Sequence, residues 1–318
     1  MKQNILIVGG SGQFGNILAK KLNRTKNIII TTRNILRAQK KVDLFRNFTL
    51  IKLDILNKKQ ISNILTKYKP SIIFYFAGQS SPKISFIKKN ETLRSNYIGC
   101  KNFLEVIRKK KINTKFLNAS SSEIFKPSNN RLNLSSKKVP ISPYGISKLK
   151  SFKITQLYRK EFNLKTYNAI IFNTESIHRN KEYLIPKICI AAIRAKKERK
   201  ITGFGNLNVI REWNWCDEQC KYMLKFINKK PQDFILSNGY PYSAKQMLKF
   251  AFNYLNLNYK EFIKIEKINF RKKDFKIRYS DNIYIFKKNM IKFDYKIHGE
   301  KLVIKLLKSY LKKNFLKT

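Results

Sequence analysis

Short apolar segments alternate with longer stretches of helical periodicity along the first 172 residues of this chain. The apolar segments occupy residues 4–8, 27–32, 48–53, 71–77, 114–118 and 165–172. Runs of this length predict buried strands, and the amphipathic stretches between them predict helices. Strands that alternate with helices pair in parallel, so the pattern predicts a doubly wound α/β sheet that is covered on both faces.

The pattern becomes looser after residue 172, where a second region is predicted. Helical periodicity continues near residues 184–197, 217–228, 243–256 and 300–313, between turn-rich segments. A length of 318 residues also exceeds that of one average domain. We therefore expect a first domain over residues 1–172 and a smaller C-terminal α/β lobe over residues 173–318, interleaved with the first.

Composition excludes several classes of protein. Hydrophobic residues make up 43% of the chain, which argues against intrinsic disorder. No apolar run approaches the length of about 20 residues that a membrane span requires, so no membrane association is expected. The first apolar segment is too short for a signal-peptide core, and the expected location is cytoplasmic.

The net charge of +49 suggests a nucleic-acid partner, but its distribution does not. Lysines are scattered over nearly every predicted surface, whereas proteins that bind nucleic acids cluster their cations. We expect no specific nucleic-acid partner. The chain has only four cysteines and two histidines, so neither a disulfide framework nor a metal site is expected.

Three glycines at a spacing of three residues follow the first predicted strand. Gly9, Gly12 and Gly15 stand before an amphipathic stretch. At the first strand-to-helix turn of an α/β fold, glycines let the backbone approach a pyrophosphate at a helix N-terminus. These glycines, with Gln13 and Phe14, predict the cofactor turn of a Rossmann-like domain.

The ends of the next strands carry further candidate cofactor contacts. An NAD site favours an acidic residue after the second strand, but this chain has Arg33, which suits a 2′-phosphate. NADP is therefore preferred over NAD, although Arg33 is also explained as one more surface cation. Asp54 and Ile55 follow the third strand, and Ala77 and Gly78 close the fourth, where ligands of such sheets bind.

Three residues form a candidate proton-transfer site. Ser121 stands at the end of a predicted strand, and Tyr144 and Lys148 stand four residues apart at the start of a predicted helix. Because residues at that spacing share one helix face, we expect the lysine cation to stabilise a tyrosine phenolate that accepts a proton from a substrate hydroxyl. Each of these residues alone more often has a structural role, but the presence of all three in this order favours a catalytic role.

Taken together, these residues resemble the extended short-chain dehydrogenase/reductase family of NAD-dependent epimerases and dehydratases. Within it, they are most similar to the GDP-mannose 4,6-dehydratase group. The motifs that carry the resemblance are Gly12-Gln13, Ala77-Gly78-Gln79-Ser80, Ser120-Ser121-Ser122-Glu123, Ser142-Pro143-Tyr144-Gly145, Phe172-Asn173-Thr174-Glu175-Ser176, Gly205-Asn206-Leu207 and Arg211-Glu212-Trp213. The likeness extends to about residue 215 and resumes weakly near residues 270–271 and 293–311.

The resemblance implies a nucleotide-sugar 4,6-dehydratase that converts GDP-mannose to GDP-4-keto-6-deoxymannose. It assigns Tyr144 as the base when hydride leaves C4 for NADP, and Ser121 as the group that hydrogen-bonds the C4 hydroxyl. Glu123 removes the C5 proton before hydride returns to C6. Ser122 stands where dTDP-glucose dehydratases carry Asp. The alternatives are an epimerase or 4-keto reductase that acts on another nucleotide sugar, or a non-catalytic NADP-binding or nucleic-acid-binding protein on the same fold.

The same resemblance implies the substrate contacts and the assembly. The expected substrate-binding residues are Gln79, Ser80, Ser122, Asn173, Glu175, Lys187, Arg211 and Arg271. Arginine and lysine are chemically suited to phosphate oxygens, although coincidental placement is plausible among 68 cations. The expected assembly is a homodimer or a homotetramer, since the loop that reaches a neighbouring subunit in the family is represented only by residues 33–41.

Some positions depart from the pattern of the group. Thr174 replaces a histidine, residues 177–180 replace Pro-Arg-Arg-Gly, and Asn214 and Trp215 replace Gly-His after the Arg-Asp-Trp motif. Substrate identity is therefore less well defined by the sequence than reaction class.

Overall fold

A seven-stranded parallel sheet forms the centre of the first of two structural units. The computed structural model describes residues 3–22, 25–39, 48–266, 268 and 275–312. The first unit contains Met1–Lys126, Leu134–Ile171 and Cys220–Leu236, and the second contains Pro127–Asn133, Phe172–Gln219 and Ser237–Thr318.

The strand order in this sheet is β11-β6-β5-β4-β1-β2-β3, and every neighbouring pair is parallel. The chain starts in the middle, moves to one edge and then crosses to the other side of β1. The strands are β1 (Asn4–Val8), β2 (Asn27–Thr32), β3 (Thr49–Lys52), β4 (Ile72–Tyr75), β5 (Lys115–Ser121), β6 (Thr166–Ile171) and β11 (Asp233–Leu236). The predicted Rossmann-like fold is confirmed, and the reversal of strand order lies between β1 and β4.

Helices separate most of the strands. The α-helices among the described residues are α1 (Gln13–Leu22), α2 (Ile35–Gln39), α3 (Lys58–Tyr68), α4 (Pro82–Ser85), α5 (Lys89–Leu93), α6 (Gly99–Lys109), α7 (Pro143–Phe162), α8 (Leu184–Glu198), α9 (Cys216–Phe226), α10 (Ala244–Tyr254), α11 (Ile283–Lys288) and α12 (Gly299–Lys312). A π-helical turn over Arg94–Ile98 joins α5 to α6.

The strands β1 and β2 of this sheet are apolar on both faces, as the sequence predicts. Residues 5–8 and 28–30 are each at most 3% exposed. Continuous burial of this kind requires cover on both faces, so these strands lack polar alternation. The core residues of β1, β2 and β4 pack with those of α3 and α6.

The strand β11 was not among the predicted strands. Its four residues lie between a predicted helix and a turn, and a run so short has no diagnostic periodicity. Asp233 connects β11 to its surroundings, because its carboxylate accepts hydrogen bonds from Gln156, Arg159 and Asn168. Such a side-chain network is not visible in a single sequence.

Three helices form the core of the second unit. The helices α8, α10 and α12 pack against each other through buried residues such as Ile188, Leu248 and Leu306. Its strands are short: β7 (Thr174–Glu175), β8 (Thr202–Phe204), β9 (Ile210–Arg211), β10 (Asn214–Trp215), β12 (Tyr242–Ser243), β13 (Ile263–Ile265) and β14 (Ile277–Arg278). Within the described ranges, no helix combines the length and apolar character needed to cross a bilayer.

Candidate active site

The glycine turn after β1 is held against β2 and β4. The amides of Gly9 and Gly10 donate to the Thr31 carbonyl at 3.1 and 3.3 Å. Gly9 has a φ of +76°, and a Cβ there would lie 2.7 Å from the Ala77 backbone. A Cβ at Gly15 would overlap the backbone of Gly10. Gly9 and Gly15 are therefore required by the protein's own packing.

Gly12 differs from the other glycines of the turn. The nearest atom to a Cβ built there is the Gly9 carbonyl oxygen, at an ordinary contact distance of 3.6 Å. Gly12 is exposed and directly precedes Gln13, the first residue of α1. Since packing does not demand glycine there, the open space fits close approach of a pyrophosphate to the start of a helix. Phe14 packs against Phe76, with ring centroids 5.5 Å apart.

Arg33 lies one residue beyond β2, in the position predicted for a 2′-phosphate contact. Its side chain is 75% exposed, and its Nη1 lies 4.0 Å from Oε1 of Glu91. The guanidinium is therefore accessible to a ligand and has a carboxylate beside it.

Asp54 and Ile55 form the turn after β3. The Asp54 carboxylate accepts a hydrogen bond from the Leu56 amide at 2.9 Å, and its own amide donates to the Gln60 side chain. Ile55 is buried, and its carbonyl accepts from Asn102 at 3.1 Å. The turn is thus fixed by local hydrogen bonds.

The segment after β4 also depends on a glycine. Gly78 has a φ of +140°, and a Cβ there would collide with Oδ1 of Asn96. The Gln79 side chain hydrogen-bonds both backbone groups of Ser81, as a donor to its carbonyl at 2.7 Å and as an acceptor from its amide. Ser80 is exposed. This arrangement places Gln79 and Ser80 next to the glycine turn, at the same end of the sheet.

The strand β5 delivers the serine and the glutamate. Ser121 is its last residue, and a 3₁₀ turn over Ser122–Ile124 follows. The Ser121 hydroxyl accepts a hydrogen bond from the Glu123 amide at 3.2 Å. Ser121, Ser122 and Glu123 are 8%, 2% and 9% exposed. The turn therefore brings a hydroxyl and a carboxyl together in a sheltered position.

The helix α7 begins beside this turn. Pro143 occupies its first turn, and the Ser142 hydroxyl caps it by accepting from the Gly145 amide at 3.1 Å. A Cβ at Gly145 would lie only 2.5 Å from the Glu123 carbonyl oxygen. Glycine at this position thus lets the helix start, which carries the buried Tyr144, lie against the Glu123 turn.

Lys148 lies one turn further along α7 and is buried. Its Nζ donates to the Ala119 carbonyl at 2.8 Å and lies 5.9 Å from the centroid of the Tyr144 ring. Burial lowers the pKa of Lys148 to about 8, an effect that Cys100 partly opposes. The ammonium is therefore mainly protonated at pH 7 and is close to the phenol. The structure brings Ser121, Glu123, Tyr144 and Lys148 together around the end of β5.

Sequence reasoning missed Asn96, which connects two parts of this site. Its Nδ2 donates to the Gln79 carbonyl at 3.1 Å and to the Ser147 hydroxyl at 3.0 Å. The Ser147 hydroxyl in turn donates to the Tyr144 carbonyl at 2.7 Å. The available signal was an asparagine on the apolar face of a helical stretch, where it is fully buried.

The second unit contains Asn173 and Glu175. The Asn173 carbonyl accepts from both the amide and the side chain of Asn214, each at 2.9 Å. Thr174 pairs in register with Asn214 in the β7–β10 ladder. Thr174 and Asn214, which both differ from the pattern of the GDP-mannose 4,6-dehydratase group, are thus direct neighbours.

Glu175 is 2% exposed, and its Oε2 lies 3.9 Å from Nε of Arg179. Neither of these two atoms has a hydrogen-bond partner among the described residues. Burial raises the pKa of Glu175 to about 7, although the Arg179 charge opposes this shift. Glu175 thus titrates near neutrality.

The predicted cations of the second unit contact its backbone. Lys187 donates to the Gly203 carbonyl at 2.7 Å. Arg211 is 3% exposed, and its guanidinium donates to the carbonyls of Ile210, Phe275 and Lys276 at 2.7, 2.6 and 3.3 Å. Both side chains therefore contribute to the structure of this unit. Arg271, the remaining predicted contact, lies outside the described residues.

Two other charged residues near Arg211 were also missed. Arg278 is 2% exposed and is the register partner of Arg211 in the β9–β14 pair. Glu212 is 1% exposed and accepts hydrogen bonds from the amide and hydroxyl of Ser280. Burial raises the pKa of Glu212 to about 8, while these hydrogen bonds oppose the shift. A single sequence does not show that these charges are buried.

No group of three or more His, Cys, Asp or Glu side chains in the described part of the chain could hold a metal ion. All four cysteines lie in the described part of the chain, are buried and form no disulfide.

The matching family and two of the most similar relatives carry the same description. Residues 6–292 match the family described as GDP-mannose 4,6 dehydratase. The chain is 29% identical to GDP-mannose 4,6 dehydratase 1 of Arabidopsis thaliana over 234 residues, which are 71% of this chain and 65% of that protein. It is 28% identical to GDP-mannose 4,6-dehydratase of Vibrio cholerae serotype O1 over 268 residues, 78% of this chain and 70% of that protein. The matched region thus spans slightly less than two thirds of the Arabidopsis relative.

A solved structure shares the fold over nearly the whole chain. A dTDP-glucose 4,6-dehydratase from Streptomyces venezuelae, determined with NAD bound, superimposes with a TM-score of 0.86. The match covers 99% of this chain and 98% of that chain at 16% identity. At this identity the likeness concerns the fold.

Proposed function

The chain belongs to the GDP-mannose 4,6-dehydratase family, and on this premise we propose that it is a nucleotide-sugar 4,6-dehydratase that converts GDP-mannose to GDP-4-keto-6-deoxymannose with NADP as its cofactor. The observation that carries the proposal is the sheltered cluster of Ser121, Glu123, Tyr144 and Lys148 at the end of β5. A carboxyl beside a Ser/Tyr/Lys site supplies the second proton-transfer group that dehydration requires.

The glycine turn supports a dinucleotide cofactor in the first unit. Gly12 leaves room for a pyrophosphate at the start of α1, and Arg33 offers an exposed guanidinium beyond β2. NADP, when bound, would supply the hydride acceptor for C4 of the sugar and the hydride donor for C6. Arg33 supports the preference for NADP over NAD.

Tyr144 and Lys148 perform the first proton transfer in this proposal. Tyr144 removes the proton of the C4 hydroxyl while Ser121 hydrogen-bonds the same oxygen. The ammonium of Lys148 lies 5.9 Å from the Tyr144 ring and stabilises the phenolate electrostatically. The Ala119 carbonyl fixes the position of that ammonium. This proton transfer, together with loss of the C4 hydride that a bound NADP would accept, would leave a ketone at C4.

Glu123 performs the second transfer. The C4 ketone makes the C5 proton acidic, and the Glu123 carboxylate removes it and passes it to the departing C6 hydroxyl, which leaves as water. The hydride would then return to C6 from a bound cofactor, and C5 would regain one proton, which balances the proton that Tyr144 took from the C4 hydroxyl. The net change is the loss of one water, with the cofactor restored to its oxidised form. The burial of Glu123 excludes bulk water from this exchange.

In the second unit, we assign Asn173 and Lys187 to binding of the nucleotide diphosphate, whereas the buried guanidinium of Arg211 supports the backbone of this unit. The residue types of Asn173 and Lys187 support this assignment, because amides and cations bind phosphate oxygens. The contact of Lys187 with the Gly203 carbonyl would also hold its side chain in a fixed position.

Mass spectrometry tests the proposed function. Purified protein is incubated with GDP-mannose and NADP⁺, and the expected result is loss of one water from the nucleotide sugar without accumulation of NADPH. Glu123→Gln should lower the rate by about 100-fold or more, because general acid–base groups contribute roughly 10² to 10⁴. The matched control is Glu161→Gln, at an exposed position on α7, and it should retain activity.

Two outcomes would overturn parts of the proposal. Turnover of another nucleotide sugar, with GDP-mannose unchanged, would replace the substrate while keeping the reaction class. Conversion of a nucleotide sugar with no loss of water would favour the epimerase or reductase reaction.

A further inference from the structure

The carboxylate of Glu91, which the proposed reaction does not use, lies near Arg33. Oε1 of Glu91 lies 4.0 Å from the Arg33 guanidinium, and its Oε2 lies 3.3 Å from Nζ of Lys88. We propose that Glu91 tunes cofactor selectivity by competing with the 2′-phosphate of NADP for Arg33. This inference rests on the proposed function, since it assumes a nicotinamide dinucleotide in the first unit.

The position of Arg33 relative to the cofactor turn supports the inference. Val8 at the end of β1 is in register with Thr31 of β2, and the Thr31 carbonyl accepts from the amides of Gly9 and Gly10. Arg33 follows two residues later. The adenosine ribose of a dinucleotide lies near the end of the second strand in this kind of fold.

Glu91 is firmly placed through its backbone. It belongs to α5, where the neighbouring Thr92 is buried and hydrogen-bonds the Lys88 carbonyl at 2.7 Å. The Glu91 carbonyl itself accepts from the Ser95 hydroxyl at 2.8 Å. The side chain is 44% exposed and extends toward Arg33 from this fixed base.

The charges of Arg33, Lys88 and Glu91 should affect the affinities for NADPH and NADH differently. Arg33 and Lys88 are positive and Glu91 is negative, so the three groups together carry one positive charge. A 2′-phosphate is attracted by the guanidinium of Arg33 and repelled by the carboxylate of Glu91. The 2′-hydroxyl of NAD carries no charge. Glu91 should therefore weaken binding of NADPH and leave binding of NADH almost unchanged.

The expected effect is modest because the groups are exposed. An exposed ion pair contributes about 0.2 to 1 kcal/mol, which corresponds to a change in affinity of about 1.4- to 5-fold. Glu91→Gln should raise NADPH affinity by about two- to fivefold, and Glu91→Lys should raise it further. The gain should decrease in high salt, because exposed charges are screened.

Calorimetric titration of the purified protein with NADPH and with NADH tests this inference without any assay of turnover. Glu161→Gln is the matched control, because it makes the same charge change at an exposed residue paired with Lys160. It should leave the ratio of the two dissociation constants unchanged. In an Arg33→Gln background, Glu91→Gln should have a smaller effect on NADPH than in the unaltered protein.

The possible failures can be distinguished. Binding of both dinucleotides with an unchanged affinity ratio in Glu91→Gln and Glu91→Lys would overturn this inference and leave the proposed function intact. Failure of the unaltered protein to bind either dinucleotide would overturn the proposed function and this inference with it.

Discussion

Lys148 in the first unit and Arg211 in the second unit are both buried cations that contact backbone carbonyls, but they use their hydrogen-bond donors differently. Among the described residues, Lys148 donates to one carbonyl, that of Ala119. Arg211 donates to three. The ammonium thus keeps donor capacity for chemistry beside Tyr144, whereas the guanidinium supports the backbone of its own unit. Burial of a cation alone therefore does not identify a catalytic or binding residue.

Removal of the Lys148 charge should have the largest effect on activity. Lys148→Met is expected to lower kcat by about 100-fold or more, because the phenolate of Tyr144 loses its neighbouring cation. Stability should change little, since methionine fills a similar volume and a buried charge is removed. Steady-state kinetics and thermal unfolding measure the two effects. A stable variant with normal kcat would remove Lys148 from the mechanism.

Arg211→Met should affect stability more than activity, unlike Lys148→Met. The carbonyls of Ile210 and Phe275 would lose their donors, which should lower the free energy of unfolding by about 2 to 4 kcal/mol. Urea denaturation measures this change, and Arg194→Met on the exposed side of α8 is the control, with an expected change within about 0.5 kcal/mol. A variant as stable as the control would show that the fold does not depend on Arg211.

Glu175 provides a smaller, pH-dependent test within the second unit. Its pKa is raised to about 7 in the folded protein, above the value of 4.5 for an ordinary glutamate. Because the folded state favours the protonated carboxyl, the stability that Glu175 contributes is fully present below pH 4.5. It is lost as the pH rises through 7 and the carboxyl ionises in the folded protein. Glu175→Gln should therefore stabilise the protein by about 1 to 3 kcal/mol at pH 8 and have little effect near pH 4. Thermal unfolding at both pH values measures this, and equal shifts would contradict the assignment.

Much of the first unit could be predicted because its signals are local. The buried strands β1 and β2 appear as apolar runs, and the Ser142 cap with Pro143 marks the start of α7. The glycines of the cofactor turn and the spacing of Tyr144 and Lys148 are also visible in the sequence. The structure brings these candidates together, and their catalytic roles stay predictions.

Contacts between distant segments could not be predicted in the same way. Glu91 reaches Arg33 across 58 positions of the chain, and the carbonyls of Phe275 and Lys276 meet Arg211 from 64 and 65 positions away. Asn96 resembles any helix residue until its bonds to Gln79 and Ser147 are seen. Single residues among 68 cations carry little information about their partners.

The central claim is that hydride leaves C4 and returns to C6 of the same sugar. The most direct test is incubation of the protein with GDP-mannose deuterated at C4, followed by mass spectrometry and NMR of the product. The account predicts a product that has lost one water and carries the deuterium at C6. Deuterium that returns to C4, or that accumulates on the nicotinamide, would contradict it.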